Sequence, residues 1–397
     1  MSFHRTRTVL LTIPMLAASM AFAQTTSAPA PAPATTTTPA PDAAPAAAPA
    51  APTWSIGGID FSGTVDGYYN WNNNHPIDKY NQYYNFDVRA NSFSLNMAEL
   101  TLNHDPDPIG FRLDLGYGKA FQIIHSSEQD PSAFQYIEQA YVALKPAKAK
   151  GFEADFGEFY TSAGAETVYT KDNWNYSRSL LFTLALPYYH FGLRTSMPVS
   201  KTMTAGFQLV NGWNNIEDNN SGKTMGFTYA WAKPKYTWTA NYYTGPEHTD
   251  TNKDWRNLID TTLLLTPTAN FSAYLNYDYA QERQLDTLTE GGVIKGQLDH
   301  IQGFAVAARQ QFTPHIALAG RYEYFYDPQG FSTGISQTLD EFTITGEYKW
   351  PEGLLARVEY RIDHSDTTPY TRGTQPLAGQ NQNTLTFGLV GFFGPKR

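Results

Sequence analysis

From about residue 54 onward, hydrophobic and polar side chains alternate with a period of two. Leu339–Asp363 shows it most clearly. Phe342, Ile344, Gly346, Tyr348 and Trp350 fall on one face, opposed by Glu341, Thr343, Thr345, Glu347 and Lys349. After the turn Trp350-Pro351-Glu352-Gly353, Leu354, Ala356, Val358, Tyr360 and Ile362 alternate with Leu355, Arg357, Glu359, Arg361 and Asp363. Successive side chains on a strand point to opposite faces, so the stretch predicts a hairpin with one ring-rich face and one charged face. In a water-soluble sheet the apolar face would be the core. In a membrane barrel it would meet lipid, and the charged face would line a wet interior.

The connections decide between these two. About sixteen strands are predicted, near 57–71, 88–103, 110–122, 134–145, 151–162, 187–198, 203–213, 222–233, 235–244, 255–265, 271–282, 298–312, 316–327, 338–349, 354–364 and 382–393. Most are long enough for the ~9–11 residues that a tilted strand needs to cross hydrocarbon. Seven connections are short and contain proline: 105–108, 145–146, 198–201, 233–234, 266–268, 313–315 and 350–353. Proline presets a turn dihedral and lacks the N–H of a ladder. The others, 72–87, 123–133, 163–186, 214–221, 245–254, 283–297, 328–337 and 365–381, are longer and rich in Asn, Asp, Gly and Trp. Short and long connections alternate along the chain. An up-and-down transmembrane β-barrel with tight periplasmic turns and long outer loops requires this; a Greek-key sandwich does not. The predicted fold is therefore an all-β, antiparallel, transmembrane β-barrel.

The face assignment follows. Lipid-facing sets are Phe61, Val65 and Tyr69; Phe111, Leu113, Leu115 and Tyr117; Met225, Phe227, Tyr229 and Trp231; Phe271, Ala273, Leu275, Tyr277 and Tyr279; and Leu385, Phe387, Leu389 and Phe393. One strand breaks the rule. Phe93, Leu95 and Met97 share parity with Glu99, so a bulge or an inward aromatic is expected there.

The opposite parity predicts a pore wall. Its expected members are Arg112, Asp114, Asp155, Arg194, Asp260, Asp278, Arg309, Arg321, Glu323, Glu347, Arg357, Glu359 and Arg361. Arg309, Arg321, Arg357 and Arg361 form a basic ladder. Set against Glu166 and Asp172 of the third long loop, such a ladder would place a transverse field across the opening. The competing reading is that Arg321–Glu323 and Arg357–Glu359 pair within the wall and stiffen it. The loop Ala163–Leu186 also carries Trp174, Tyr176 and Arg178, and its apolar run Leu180–Leu186 predicts a short helix capped by Ser177 and folded back on the wall. Trp71, Trp174, Trp213 and Tyr176 offer ring faces to sugars, so a sugar-selective channel is the alternative to passive diffusion of ions and small polar solutes.

Composition refines this picture. Aromatic residues make up 15% of the 397-residue chain and charged residues 16%, which suits a sheet with apolar outer surface. The net charge of −9 argues against nucleic acid as a partner. There is no cysteine, which removes disulfides and thiolate chemistry. Residues 1–23 read as a signal peptide: Arg5 and Arg7, the apolar Val9–Ala18, and Ala21-Phe22-Ala23 before Gln24. Residues 24–53, nearly all Ala, Pro and Thr, predict a disordered periplasmic linker with no partner of its own, leaving 54–397 for the barrel.

Enzyme signals are weak. Ser221-Gly222-Lys223-Thr224 has the ending of a phosphate-binding loop, but Glu217 stands where glycine is needed and a strand follows. Neither Gly-x-Ser-x-Gly nor His-Glu-x-x-His occurs, and the nine histidines show no ligand spacing. No enzymatic activity, cofactor or metal is expected, and Asn214–Asn220 reads as a solvated loop rather than a cation site.

In architecture, Trp54 to the C-terminus resembles the general porins, whose third loop folds inward and narrows the channel. The stretch Asn175–Ser179, followed by Pro187-Tyr188 and Gly192-Leu193-Arg194, resembles the OmpL-like β-barrel porin family. The resemblance implies an outer-membrane channel for small polar solutes, contacts with outer-membrane lipid and lipopolysaccharide, and a homotrimer. Two features depart from it. Phe393 is followed by Gly394-Pro395-Lys396-Arg397 instead of ending the chain, and the Ala/Pro-rich leader has no counterpart in general porins.

Overall fold

The computed structural model describes residues 54–289 and 292–395. The predicted signal peptide and linker lie outside the described residues. Among the described residues sixteen long strands form one antiparallel sheet: β1 Ile59–Asn72, β2 Ser92–His104, β3 Ile109–Tyr117, β4 Ile137–Leu144, β5 Glu153–Tyr160, β6 Tyr189–Ser200, β7 Met203–Val210, β8 Thr224–Lys233, β9 Tyr236–Gly245, β10 Arg256–Thr268, β11 Phe271–Arg283, β12 Leu298–Gln311, β13 Ile316–Asp327, β14 Gln337–Trp350, β15 Leu354–Ser365 and β16 Asn381–Phe393. Each pairs with its sequence neighbour, and β1 pairs with β16 from Gly63↔Phe393 to Asn72↔Thr384, so the sheet closes. Closure removes both edges, which a sheet in hydrocarbon must do because nothing there can satisfy an open row of N–H and C=O groups. Among the described residues no helix is long and apolar enough to cross a membrane.

All sixteen predicted strands are present. The proposed lipid-facing residues look outward, and none of them is buried. In the hairpin of β14 and β15 the charged positions oppose one another in register, Glu347↔Arg357 and Glu341↔Asp363, and all four are buried on the inner side. The irregular strand β2 resolves as a bulge: Asp66 pairs with Met97 and Gly67 with Leu95, leaving Asn96 over. The extra residue flips the parity, so Phe93 and Leu95 look out while Asn96 and Met97 are buried inside.

Three local expectations need correction. Residues 119–122 are not strand: Lys119–Ile124 forms a helix, α1, with Ala120, Phe121 and Ile124 buried at helical spacing. Gly118, at φ +139°, makes the corner, because a Cβ there would stand 2.4 Å from the carbonyl of the bulge residue Asn96. Pro198 and Pro267 do not form turns. They sit inside β6 and β10 where the register shifts, and a proline is tolerated at a bulge because no ladder N–H is demanded of it. In the second long loop, Pro131–Phe134 is a further short helical turn, α2, capped by Asp130.

The interior is not an open tube. The first outer loop dips inward and buries Tyr84, Phe86, Val88 and Ala90. The third loop, residues 161–188, contains the five-residue helix α3, Leu180–Leu184, whose Leu180, Leu181 and Phe182 are all buried. Ser179, not Ser177, caps it, accepting a hydrogen bond from the Phe182 amide at 2.9 Å. As expected for an apolar helix, it lies back on the wall, with Leu181 packed at Gly303 of β12.

Candidate functional site: the third loop and the arginine wall

The inward side of β13–β15 is a polar grip on the main chain of the third loop. Arg321 points its Nη1 at Glu166 Oε1 (2.7 Å) and at the Ser177 carbonyl (2.9 Å). Its Nε lies 2.9 Å from Glu323 Oε1 and 3.0 Å from Glu341 Oε2. Arg357 donates to the carbonyls of Thr170 (2.7 Å), Asn175 (3.0 Å) and Asn173, and to Glu347 Oε2 at 2.8 Å. Arg361 donates to the Arg178 carbonyl at 2.7 Å and to Asp363 at 2.7 Å.

The carboxylates of the same wall take the loop's amides. Glu359 accepts from Ser177 N at 2.9 Å and also from Tyr176 N. Glu323 accepts from Leu180 N (3.0 Å) and Leu181 N (3.2 Å), at the start of α3. Asn175 Nδ2 reaches Thr345 Oγ1 at 2.7 Å. A loop threading a barrel must satisfy its amides and carbonyls without a ladder, and charged side chains at alternate wall positions do this.

Within the loop, Arg178 binds back on it. Its guanidinium donates to the carbonyls of Thr167, Val168 and Tyr176, at 3.0, 2.6 and 2.7 Å, and stacks 5.1 Å over Phe86 of the first loop. Tyr176 donates to Asp66 of β1 at 2.6 Å, and Trp174 lies 5.2 Å from the Tyr274 ring on β11. Asp260 accepts from Gly164 N at 3.0 Å and from Asn241 and Asn276 on its neighbouring strands, directly opposite Asp278. On the far wall, Tyr169 donates to Asp114 at 2.7 Å. The loop thus spans the lumen from β10 to β3.

This geometry changes the reading of the basic ladder. Arg321, Arg357 and Arg361 do not face an acidic loop across water: their side chains are at most 2% exposed and they hold the loop directly. Glu166 is an ion-pair partner of Arg321, whereas Asp172 is exposed beside Lys171. The pairing expected within the wall occurs for Arg321–Glu323, but Arg357 pairs with Glu347, because Glu359 is occupied by loop amides.

Apart from Arg256 at the outer mouth, whose side chain is 23% exposed, three inward strand arginines remain wet. Arg112, Arg194 and Arg309 have side chains 27%, 27% and 24% exposed. Each keeps one carboxylate: Asp114 at 2.9 Å, Asp155 at 2.8 Å and Glu347 at 2.6 Å. Arg194 also lies 4.4 Å over Phe159 and 5.1 Å over Tyr141, which fixes its plane.

The sequence reading missed the first loop's part in this. Arg361 stacks 4.1 Å over Tyr84, and Tyr84 itself bonds Thr384 on the neighbouring β16. The signal was present in the alternation Tyr84, Phe86, Val88, apolar positions inside a segment otherwise taken as solvated connection.

A closed sixteen-strand barrel with an apolar exterior, a charged interior and an inward third loop defines the porin class of outer-membrane channel. The chain matches the family described as "Putative beta-barrel porin-2, OmpL-like" over residues 58–393, and it belongs to that family. It is an outer-membrane porin. No curated protein matches it in sequence. In fold it is similar to OmpT, an outer membrane protein of Vibrio cholerae, with 11% identity over 86% of this chain and 100% of that one, TM-score 0.56. It is also similar to the outer membrane channel DcaP of Acinetobacter baumannii, with 10% identity over 84% and 97%, TM-score 0.56. An anion-selective porin from Comamonas acidovorans aligns at 10% identity over 84% and 99%, TM-score 0.54.

Proposed function

We propose that the protein passes ions and small polar solutes by passive diffusion, without enzymatic activity, through the part of the lumen that wets Arg112, Arg194 and Arg309. The observation that carries this reading is the division among inward arginines: these three are wetted, while the ones on β13–β15 that hold the loop are sealed. A charge that meets water in a narrow passage sets ion preference; one saturated by carbonyls and carboxylates holds structure. Each wetted arginine stands beside a carboxylate, so the wall is mixed in sign and weakly selective.

The remaining partners follow from the outer surface. The apolar band contacts outer-membrane lipid, and the exposed polar loops contact lipopolysaccharide. β4, β5 and β7 are 8 residues each, below the ~9–11 that cross the hydrocarbon layer. A thin wall of this kind is relieved when neighbouring copies cover it, which supports a homotrimer.

The test is planar-bilayer recording of the purified protein. Stepwise openings with modest ion preference support the channel. Silence combined with hydrolysis of lipid or peptide would replace it with an enzyme reading. Chemical crosslinking in detergent tests the trimer.

A further inference from the structure

At the outer mouth, between the end of α3 and the wall of β10–β12, lies a recess of about 190 Å³. That is several times the ~30 Å³ that a water takes in the liquid. It is also below the ~300 Å³ at which pockets for drug-sized molecules begin. It fits a single small ring. Leu184, Leu186 and Ile301 give it apolar sides, and Trp213, Arg256 and Phe331 form its aromatic and cationic side.

The chemistry on that side is specific. The Arg256 guanidinium lies 4.8 Å over Trp213 and 5.3 Å over Phe331, so two rings hold its plane. Nη2 donates to Glu282 Oε2 at 2.9 Å, while the buried Nε meets no acceptor. Asn214, also on the recess, uses its Oδ1 for the Tyr188 amide at 2.6 Å, which turns its amide nitrogen away from that contact. Two carboxylates already surround the cation: Glu282, with His248 Nε2 at 3.8 Å, and Glu247, which accepts from Trp213 N at 2.9 Å. A further anion would be repelled by that pair, and a cation would have to compete with Arg256 for carboxylates it already faces. A neutral molecule avoids both costs while offering hydroxyl oxygens to the donors and C–H surface to the apolar sides.

We propose that this recess binds one neutral polyhydroxylated ring, a monosaccharide-sized solute, at the outer mouth of the channel. It rests on the channel reading above and adds a solute class to it. Trp213 and Phe331 act as positioning residues for Arg256, and Arg256 and Asn214 supply the hydrogen bonds.

The test is interruption of ion current in planar bilayers when glucose or galactose is added on the loop side. The wild-type channel shows brief, saturable blockades, and Arg256→Gln and Trp213→Ala each raise the half-blocking concentration by about tenfold or more. Ile301→Trp, which fills the recess without touching its charges, abolishes blockade while leaving ion conductance in place. Lys295→Ala, in an exposed outer hairpin, changes nothing. A wild-type channel that conducts but shows no blockade by either sugar overturns this proposal and leaves the channel standing, as does blockade unaltered by Ile301→Trp. Blockade by benzoate but not by the sugars overturns it in favour of an anionic ring. Absence of conductance in every variant removes the channel reading itself, and this site with it.

Discussion

Two sets of inward positions use the same residue type in opposite ways. On β13 and β15, Arg321, Arg357 and Arg361 are sealed, each ringed by carboxylates and third-loop carbonyls. On β3, β6 and β12, Arg112, Arg194 and Arg309 keep one carboxylate each and remain about a quarter exposed. Position in the alternating pattern is identical for both groups. The difference lies in what the third loop covers, so inward parity places a charge in the lumen without deciding whether it meets water.

That contrast gives its strongest test in the sealed group. Arg321→Met leaves Glu166 and Glu323 buried without their cation and Glu341 with only the more distant Arg361, and removing one partner of a buried ion pair costs about 3–5 kcal/mol. The expected result is release of the third loop, seen as protease cleavage within 163–186 and noisier, larger currents. Glu359→Gln is milder. It weakens acceptors for two loop amides, at about 1–3 kcal/mol, and shows the same cleavage more slowly. In the wet group, Arg194→Gln leaves the loop protected and shifts the reversal potential in a salt gradient toward cations, because Asp155 then stands alone. Ser179→Ala removes one cap, worth about 1 kcal/mol, and raises hydrogen exchange in α3 without altering selectivity.

The smallest effect is on the outer loops. Burial, reinforced by nearby Glu359 and only partly offset by Arg361, pushes the Asp87 carboxyl up to about 7, and burial pushes Glu247 to about 7 as well. Both folded values lie above the ordinary carboxylate range. Folded loops therefore bind more protons than open ones, and stability present in full at low pH is lost as pH rises through 7. Protection of residues 73–91 from exchange should be greater at pH 5 than at pH 8, and Asp87→Asn should narrow that difference.

The barrel was legible because hydrocarbon enforces a simple code: outward positions apolar, connections sorted by length, closure obligatory. Even the bulge at Asn96 was visible as the conflict between Phe93 and Glu99. Proline misled locally, because Pro198 and Pro267 satisfy the same missing N–H at a bulge as at a turn. The site was harder to read. The contacts of Arg357 with the carbonyls of Thr170, Asn173 and Asn175 join positions about 180 residues apart through main-chain atoms, which no side-chain pattern encodes. The inward turn of Tyr84 and Phe86 was missed because a loop was assumed to face water.

The most direct measurement uses the absence of native cysteine. Asn175 and Thr345 touch through side chains at 2.7 Å, so Asn175→Cys with Thr345→Cys can lock the third loop to the sealed wall. If ions pass along Arg112, Arg194 and Arg309 with the loop docked, the oxidised channel carries the same unit current in planar bilayers as the reduced one. If reduction instead raises the current several-fold, the loop must leave the arginine wall to open the path, and the division of the lumen described above is wrong.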